Sequence, residues 1–319
     1  MLVALQRGLP LGARPFEELA RELGCGEADL LACLARARAA GTVRRFGAVF
    51  DTRRLGYRSA LCAAAVPEAA LDAAAARLTP LAGVTHCYRR EAARRALPNL
   101  WFTLSAPADV FPAMADEVAA RLRPHAVHVL PATRRYKVDV VFGAATRARE
   151  EAVEAADDLP PVTARGRAVV AALQGDTEAR PDYFAALAAR LGMKEWDLLS
   201  TLEIWRRKGR LKRIGLLLRH RDAGWTANGM CCWRVAGDTT AAGRALAARG
   251  EVTHCYERPE APTFPYNLFA MVHARAAAEA QAQFASLAAE VNRAAGADVP
   301  AVMLLSTHEY KKTSMTFFV

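Results

Sequence analysis

The chain has 319 residues, 53% of them hydrophobic and 24% charged, which is typical of a globular protein with two or more domains. This composition excludes a disordered or collagen-like chain, and no apolar stretch reaches the roughly 18 residues that a membrane helix needs. Lys and Arg total 43 against 33 Asp and Glu, and the net charge of +10 favours an anionic partner: nucleic acid, a membrane surface or a polyacidic small molecule.

The first predicted elements form a helix-turn-helix. Apolar residues at helical spacing predict a helix over 16–23, and Gly24 suits its end because glycine tolerates positive φ. A second helix is predicted over 27–40, followed by a short apolar hairpin over 43–50. Helix, turn, helix and hairpin together are typical of a winged helix-turn-helix.

The next predicted elements alternate between strands and helices. They are a strand over 60–66, an alanine-rich helix over 67–78, strands over 84–89 and 100–104, a helix over 108–122, and a strand that begins near Val127. The order βαββαβ indicates a ferredoxin-like sandwich, with four antiparallel strands and both helices on one face.

The two halves of the sequence repeat each other at an offset of 168 residues. VTHCY occurs at 84–88 and again at 252–256, and Gly47, Arg90 and Asn99 match Gly215, Arg258 and Asn267. Agreement without a gap from Phe16 to Leu100 is not expected by chance. The predicted fold class is therefore α+β: a tandem duplication in which each half is a winged helix-turn-helix followed by a ferredoxin-like βαββαβ domain.

Five segments follow from this repeat. We predict a winged helix-turn-helix over 1–55, a ferredoxin-like domain over 56–142, a linker over 143–166, a second winged helix-turn-helix over 167–222 and a second ferredoxin-like domain over 223–319. The linker is inferred from its paired acidic residues and its two adjacent prolines.

The seven cysteines are odd in number and form no CxxC pair, so they indicate reduced thiols and neither a disulfide framework nor a zinc site. The apolar run at the N-terminus is too short for a signal peptide. Together these features predict a cytoplasmic location.

Each half carries the motif HxYxR on a predicted strand. Alternation along a strand places His86, Tyr88 and Arg90 on one sheet face and Cys87 on the other. The same alternation applies to the motif at 254–258. One face of each sheet thus carries an imidazole, a phenol and a guanidinium.

The order of domains resembles the Lrp/AsnC family of bacterial transcription regulators, in which the second domain pairs subunits and binds small effectors. The motif HCYxR, followed by Asn99-Leu100-Trp101 or by Tyr266-Asn267-Leu268-Phe269, is similar to siroheme decarboxylases. Those enzymes are built from two Lrp/AsnC-like subunits, which here are fused in one chain. The first half departs from the pattern, because Pro98 precedes Asn99 where the second half has a tyrosine.

This resemblance implies a carbon-carbon lyase. Its substrate would be siroheme, an iron isobacteriochlorin with acetate and propionate arms, and loss of CO2 from the two pyrrole-ring acetates would give 12,18-didecarboxysiroheme for haem d1 or an alternative haem pathway. The reaction needs no redox change, so no cofactor and no protein-bound metal are expected. The implied partners are the tetrapyrrole and further homologous subunits or a second copy of the chain, with no membrane.

The resemblance also implies roles for residues. His254 is expected to be the main proton donor and Arg258 to bind an acetate arm, with Tyr256, His86 and Arg90 completing the catalytic set. Arg and Lys around one cavity would bind the carboxylates. The substrate-binding candidates are Arg45, Tyr88, Asn99, Trp101, Arg134, Arg135, Lys137, Arg213, Tyr266, Asn267, Phe269, His308 and Lys311, with Lys312 beside them.

Three alternatives stay open. The motif histidines and aromatics are also compatible with structural roles, and Arg44-Arg45 and Lys212-Arg213 with a solvated wing. A DNA-binding regulator is the second hypothesis for function, although the second helix of the repeat begins with Lys194-Glu195-Trp196-Asp197, whose acidic groups repel phosphate. A tetrapyrrole carrier without catalysis is the third.

Overall fold

The computed structural model describes residues 1–92, 97–138, 151–152, 159–218 and 226–318. Most of the predicted linker and the predicted domain limits at 142 and 222 lie outside these residues. A helix begins at Ala164, so the last residues of the predicted linker belong to the second winged-helix unit.

The predicted βαββαβ order is confirmed in both halves. The first half contains α1 (Leu2–Arg7), α2 (Pro15–Glu22), α3 (Glu27–Ala39), β1 (Val43–Phe50), β2 (Tyr57–Ala64), α4 (Leu71–Leu78), β3 (Val84–Glu91), β4 (Leu100–Pro107), α5 (Phe111–Arg121), β5 (Val127–Pro131) and β6 (Arg134–Val138), and a short β7 (Glu151–Ala152) follows. The second half contains α6 (Ala164–Gln174), α7 (Tyr183–Arg190), α8 (Glu195–Arg207), β8 (Leu211–Leu218), β9 (Ala227–Trp233), α9 (Thr240–Ala248), β10 (Val252–Glu257), β11 (Leu268–Ala274), α10 (Ala277–Ala295) and β12 (Ala301–Lys312).

The two ferredoxin-like units share their last strands. The sheet has the order β5-β2-β4-β3-β12-β9-β11-β10-β6-β7. β12 begins beside β9 of its own half and ends beside β3 of the first half. In the first half, β5 pairs with β2 of its own half, and β6 pairs with β10 of the second half. The halves are therefore joined by exchanged backbone hydrogen bonds and not only by side-chain packing.

The predicted hairpin over 43–50 is wrong. This segment is the single strand β1, which pairs antiparallel with β8 of the second half and forms a two-stranded ribbon. Each strand thus finds its hydrogen-bond partner in the other copy, a pairing that the local pattern of one half does not contain.

A pair of glycines at the centre of the ribbon is explained by close backbone approach. Gly47 lies opposite Gly215. A Cβ at Gly47 would lie 2.3 Å from the carbonyl oxygen of Gly175, and one at Gly215 would lie 2.5 Å from that of Leu5. Only glycine fits at either position, which accounts for its recurrence in both halves.

The halves of the sheet face each other. α4 and α5 cover the outer face of the first half, and α9 and α10 cover that of the second. A separate buried cluster combines Trp101 and Leu130 of the first half with Met230, Phe269 and Leu304 of the second. The inner faces therefore pack on each other and enclose the space between them.

The predicted alignment of the two halves without a gap is wrong across β2 and β9. The Asn99 side chain accepts from the Val66 amide at 2.9 Å and donates to its carbonyl at 2.8 Å, and Asn267 makes the same two bonds, at 2.9 and 2.8 Å, with Val235. The asparagines lie 168 residues apart but the valines 169, so β9 is displaced by one position relative to β2.

All seven cysteines carry free thiols, in agreement with the prediction. None of the helices within the described residues is both long and apolar enough to cross a bilayer.

Candidate active site

A cavity of about 590 Å³ lies between the two inner sheet faces and the β1–β8 ribbon. Strands β2, β3 and β4 of the first half and β9, β10 and β11 of the second contribute to its wall. Residues 313–315 and 317, beyond β12, close part of it.

Both HxYxR motifs face this cavity, as alternation along the strands predicts. His86, Tyr88 and Arg90 line it, whereas Cys87 is buried under α4 and α5. In the second half, the three motif residues at positions 254, 256 and 258 line the cavity, and Cys255 is buried on the helix side. The ring centroids of each His–Tyr pair are 6.2 Å apart in the first half and 6.1 Å in the second.

Each motif arginine is held by a strand of the opposite half. Arg90 donates from Nη1 to the carbonyl of Leu304 at 3.4 Å, and Arg258 donates to that of Leu130 at 2.6 Å. Burial lowers the pKa of Arg90 to about 10, so it stays charged at neutral pH. Within the described residues neither guanidinium has a carboxylate partner, and the cavity therefore contains two cations available to an anionic ligand.

The rest of the cationic lining comes from the ribbon and the shared strands. Arg44, Arg45, Lys212 and Arg213 lie on the ribbon, Arg135 lies on β6 and Lys312 on β12, and the described lining contains no Asp or Glu. No group of three or more His, Cys, Asp or Glu side chains in the described part of the chain is arranged to hold a metal ion. This wall suits a ligand with several carboxylates.

The alternative of a solvated wing is therefore wrong for the ribbon cations. The strands pair with each other, and all four basic side chains lie against the cavity. Arg44 and Arg45 also donate to the Ser314 hydroxyl at 3.0 and 3.3 Å, which ties the ribbon to the C-terminal segment.

Asp51 balances part of this charge from outside the lining. Its side chain is 2% exposed and lies 2.9 Å from Arg135, 3.5 Å from Lys212 and 3.5 Å from Arg53. Burial raises its pKa, but the attraction of Lys212, Arg135 and Arg53 outweighs burial and holds the pKa well below the ordinary value.

We expect Asp51→Asn to lower the free energy of unfolding at pH 7 by about 3 kcal/mol, because the cations lose a buried partner. Since the folded pKa is depressed, this contribution is present above the unfolded pKa of about 4 and is lost as the pH falls below it. Urea denaturation from pH 3 to pH 7 measures it. Asp238→Asn, at a side chain 70% exposed beside Arg134, is the control and should cost much less, because solvent screens an exposed ion pair. Equal losses in the two variants would contradict the expectation.

The motif histidines are neutral in the ligand-free cavity. Burial, followed by the charges of Arg44 and Lys312, lowers the pKa of His86 to about 3. Burial, followed by Lys212 and Arg135, lowers that of His254 to about 4. A bound polyanion would offset these cations and raise both pKa values.

The structure brings eleven of the predicted site residues together in the cavity wall. They are Arg45, His86, Tyr88, Arg90, Trp101, Arg135, Arg213, His254, Tyr256, Arg258 and Phe269. Seven lie outside it: Asn99, Arg134, Lys137, Tyr266, Asn267, His308 and Lys311.

Other contacts occupy the seven residues outside. The two asparagines fix the chain after β2 and β9, as described above. Arg134 pairs with Asp238 at 2.9 Å, the buried Lys137 donates to the Arg249 carbonyl at 2.7 Å, and Lys311 donates to the carbonyls of Thr79 and Leu81 at 2.7 and 2.9 Å. Tyr266 packs on Phe264 with ring centroids 4.8 Å apart. The ring centroid of the exposed His308 lies 4.4 Å from that of Tyr310. Both lysines follow a tyrosine that packs on the helix side and precede a residue that lines the cavity, because the strand pairing shifts register at these positions of β6 and β12.

Sequence reasoning missed His273, Asn228, Met230, Met271 and Ser314, which also line the cavity. Arg44 and Lys212 were considered only as surface charges, although their equivalent positions in the repeat were a usable signal. Alternation along β11 could also have found Met271 and His273, which lie two and four residues after Phe269, whereas Asn228, Met230 and Ser314 depend on how the halves face each other.

Comparison with known proteins identifies the family. The model for an AsnC-like ligand binding domain matches residues 54–137 and 222–311, and the model for a siroheme decarboxylase NirDL-like HTH domain matches residues 1–44. A siroheme decarboxylase of Hydrogenobacter thermophilus is 34% identical over all of this chain and 94% of its own length. The siroheme decarboxylase NirDL subunit of Paracoccus denitrificans is 35% identical over 99% of this chain and 95% of its own length.

Two solved structures also match this chain over nearly its whole length. The crystal structure of the siroheme decarboxylase NirDL matches with a TM-score of 0.75 and 30% identity, covering 100% of this chain and 93% of that one. The same enzyme in complex with an iron-uroporphyrin III analogue matches with a TM-score of 0.73 and 30% identity, covering 99% and 92%. The fold is thus shared over nearly the whole length of both chains, and this chain is a member of the siroheme decarboxylase family in its fused, two-half form.

Proposed function

We propose that this protein binds siroheme and removes CO2 from its two pyrrole-ring acetates, giving 12,18-didecarboxysiroheme in haem d1 or alternative haem synthesis. The observation that carries the proposal is the cavity itself. Eight basic side chains and two HxYxR motifs converge on it, and its described lining has no acidic residue. Family membership and the tetrapyrrole-bound relative support the same ligand class.

The cavity offers separate contacts for the arms and the ring of such a substrate. Guanidinium groups bind carboxylates through paired hydrogen bonds, and Arg90 and Arg258 lie in the wall where acetate arms would reach. Trp101 and Phe269, at equivalent positions of the two halves, present aromatic surface to the flat macrocycle.

The chemistry consumes one proton for each CO2 released. A proton added to the macrocycle draws electrons from the breaking bond between the methylene and carboxylate carbons, and CO2 leaves. A proton delivered to the resulting exocyclic methylene gives the methyl group, while the ring returns its own proton. An imidazole that gains a proton when the substrate arrives is suited to the delivery step.

We expect proton uptake when a polyanionic tetrapyrrole binds. His254 is neutral at pH 7 with a pKa of about 4, and carboxylates placed among its neighbouring cations raise that pKa. Calorimetry in two buffers of different ionisation enthalpy should show uptake of up to about one proton per motif histidine. His254→Ala should reduce the uptake. A binding enthalpy independent of the buffer would contradict this role.

The direct test is to incubate the purified protein with siroheme without oxygen and to follow the mass of the tetrapyrrole. Loss of one and then two CO2 units supports the proposal, and an unchanged mass with bound siroheme would favour a carrier. We also propose that the reaction takes place in the cytoplasm, in keeping with the seven free thiols.

DNA binding is not part of the proposal. In a winged helix the wing contacts the DNA backbone, but here the two wing strands pair with each other and their basic residues line the cavity. A gel-shift assay at physiological salt should show no sequence-specific complex, and a tight specific complex would restore the regulator hypothesis.

A further inference from the structure

The second half contains a chain of hydrogen bonds that the first half lacks. His254 Nδ1 lies 3.1 Å from Thr253 Oγ1, and the same oxygen lies 3.3 Å from His273 Nδ1. On the far side of the His273 ring, Nε2 lies 3.4 Å from the Asn228 amide nitrogen, and Arg90 Nη1 lies 3.4 Å from the Asn228 amide oxygen. The chain therefore runs from the imidazole of one motif to the guanidinium of the other.

The partners in this chain fix where its protons lie. Arg90 can only donate, so the Asn228 oxygen accepts from it and the Asn228 amide nitrogen donates to Nε2 of His273. His273 therefore donates from Nδ1 to Thr253 Oγ1, and Thr253 cannot turn its own hydroxyl proton towards His273. That proton goes to the Met271 carbonyl at 3.2 Å, and Oγ1 accepts from Nδ1 of His254. Every group in the chain has a consistent role, with Nε2 of His254 free of the network.

The first half is built differently at the same positions. His86 Nδ1 lies 3.0 Å from Thr85 Oγ1, but His86 is the one hydrogen-bond partner of that hydroxyl among the described residues. Ser105 stands at the position equivalent to His273 and donates to the Ser59 hydroxyl at 2.8 Å. Nothing there obliges Thr85 to act as an acceptor, so either tautomer of His86 is allowed.

We propose that His273 is a positioning residue: acting through Thr253, it holds His254 as the Nδ1–H tautomer, with Nε2 available to accept and deliver the reacting proton. This rests on the proposed decarboxylation and makes the two halves of the cavity inequivalent. His254 is then the imidazole prepared for proton transfer, whereas His86 lacks a second imidazole to set its tautomer. Outer hydrogen-bond partners of functional histidines commonly act in this way.

The kinetic test compares His273→Ala with His273→Asn. We expect His273→Ala to lower kcat for CO2 release from siroheme by about 10- to 100-fold, the range for such outer partners. Its Kd for iron-uroporphyrin III should stay within about twofold, and His273→Asn, whose amide can donate to Thr253, should recover most of kcat. Unchanged kcat, or a loss confined to Kd, would overturn the proposal.

A mutant cycle tests whether the effect passes through Thr253, which does not line the cavity. Thr253→Val should lower kcat to the same degree, and the double variant with His273→Ala should be no slower than Thr253→Val alone. Additive losses would show that His273 acts directly on the substrate, and would overturn the positioning role. Thermal melting confirms that each variant is folded.

Nitrogen NMR of labelled histidines separates this proposal from the proposed reaction. In the ligand-free protein we expect His254 as a single Nδ1–H tautomer, and a mixture of tautomers in His273→Ala. A mixture already present in the wild type would overturn the positioning role even if the protein decarboxylates siroheme. A wild-type protein that leaves siroheme intact would refute the reaction, whereas the NMR result would still report on the chain of hydrogen bonds.

Discussion

His254→Ala is expected to lower the rate of siroheme decarboxylation by about 10²- to 10⁴-fold, the contribution usual for a positioned proton donor. His254 lines the cavity, where burial, followed by the charges of Lys212 and Arg135, lowers its pKa. The substitution removes this proton carrier but leaves the cations that bind the arms. Substrate affinity should therefore change far less than the rate, and mass spectrometry of the tetrapyrrole together with a binding titration measures both.

His86→Ala is the matched variant, because His86 occupies the equivalent position in the first half. We expect a smaller loss of rate than for His254→Ala, since the Thr85 hydroxyl does not set the tautomer of His86. The exposed His308 lies outside the cavity, and His308→Ala serves as the control with unchanged rate. Wild-type turnover by His254→Ala would remove the central role from this imidazole.

Arg258→Met is expected to weaken binding of iron-uroporphyrin III by about 10- to 100-fold, because a charged hydrogen bond contributes roughly 1.5–3 kcal/mol. The guanidinium lies 4.8 Å from the centre of the Tyr256 ring and 5.7 Å from that of Phe269, and its protein hydrogen bond is to the Leu130 carbonyl. No carboxylate of the described chain competes for it. The arms of the ligand would supply the missing anion.

The same substitution should have little effect on the ligand-free fold. Removal of a buried cation that lacks an ionic partner relieves its desolvation, which offsets the lost contacts with the Leu130 carbonyl and the aromatic rings. We expect the free energy of unfolding to stay within about 1 kcal/mol of the wild type, measured in urea. Arg134→Met, outside the cavity and paired with Asp238, is the control and should leave affinity unchanged. A stable Arg258→Met protein with wild-type affinity would exclude the arginine from binding.

Alternation along the strands was sufficient to predict the face of each motif residue. His86, Tyr88 and Arg90 line the cavity and Cys87 does not, because a strand with a helix layer on one side has only one other face. The rule fails at Lys311, because a register shift between Glu309 and Lys311 puts Tyr310 and Lys311 both on the helix side, where Lys311 donates to carbonyls near α4. The sequence pattern showed that Lys311 is repeated but not which face it takes.

The local sequence pattern did not predict strand pairing correctly where the hydrogen-bond partner of a strand lies in the other half of the chain. β1 has the apolar composition of a wing, yet its hydrogen bonds go to β8, which converts a predicted hairpin into one strand of the ribbon. The one-residue displacement of β9 relative to β2 was also hidden, because insertions in loops leave the flanking motifs aligned.

The sequence by itself determined the duplication, the βαββαβ order, the two HxYxR faces and the family, since all of these follow from periodicity and from motifs close together in the chain. Only the tertiary structure decided that β12 and β6 cross between halves and that Arg90 and Arg258 are each held by the opposite half. The reason is physical: strand pairing between the halves joins residues more than 100 positions apart, and no local propensity records such contacts.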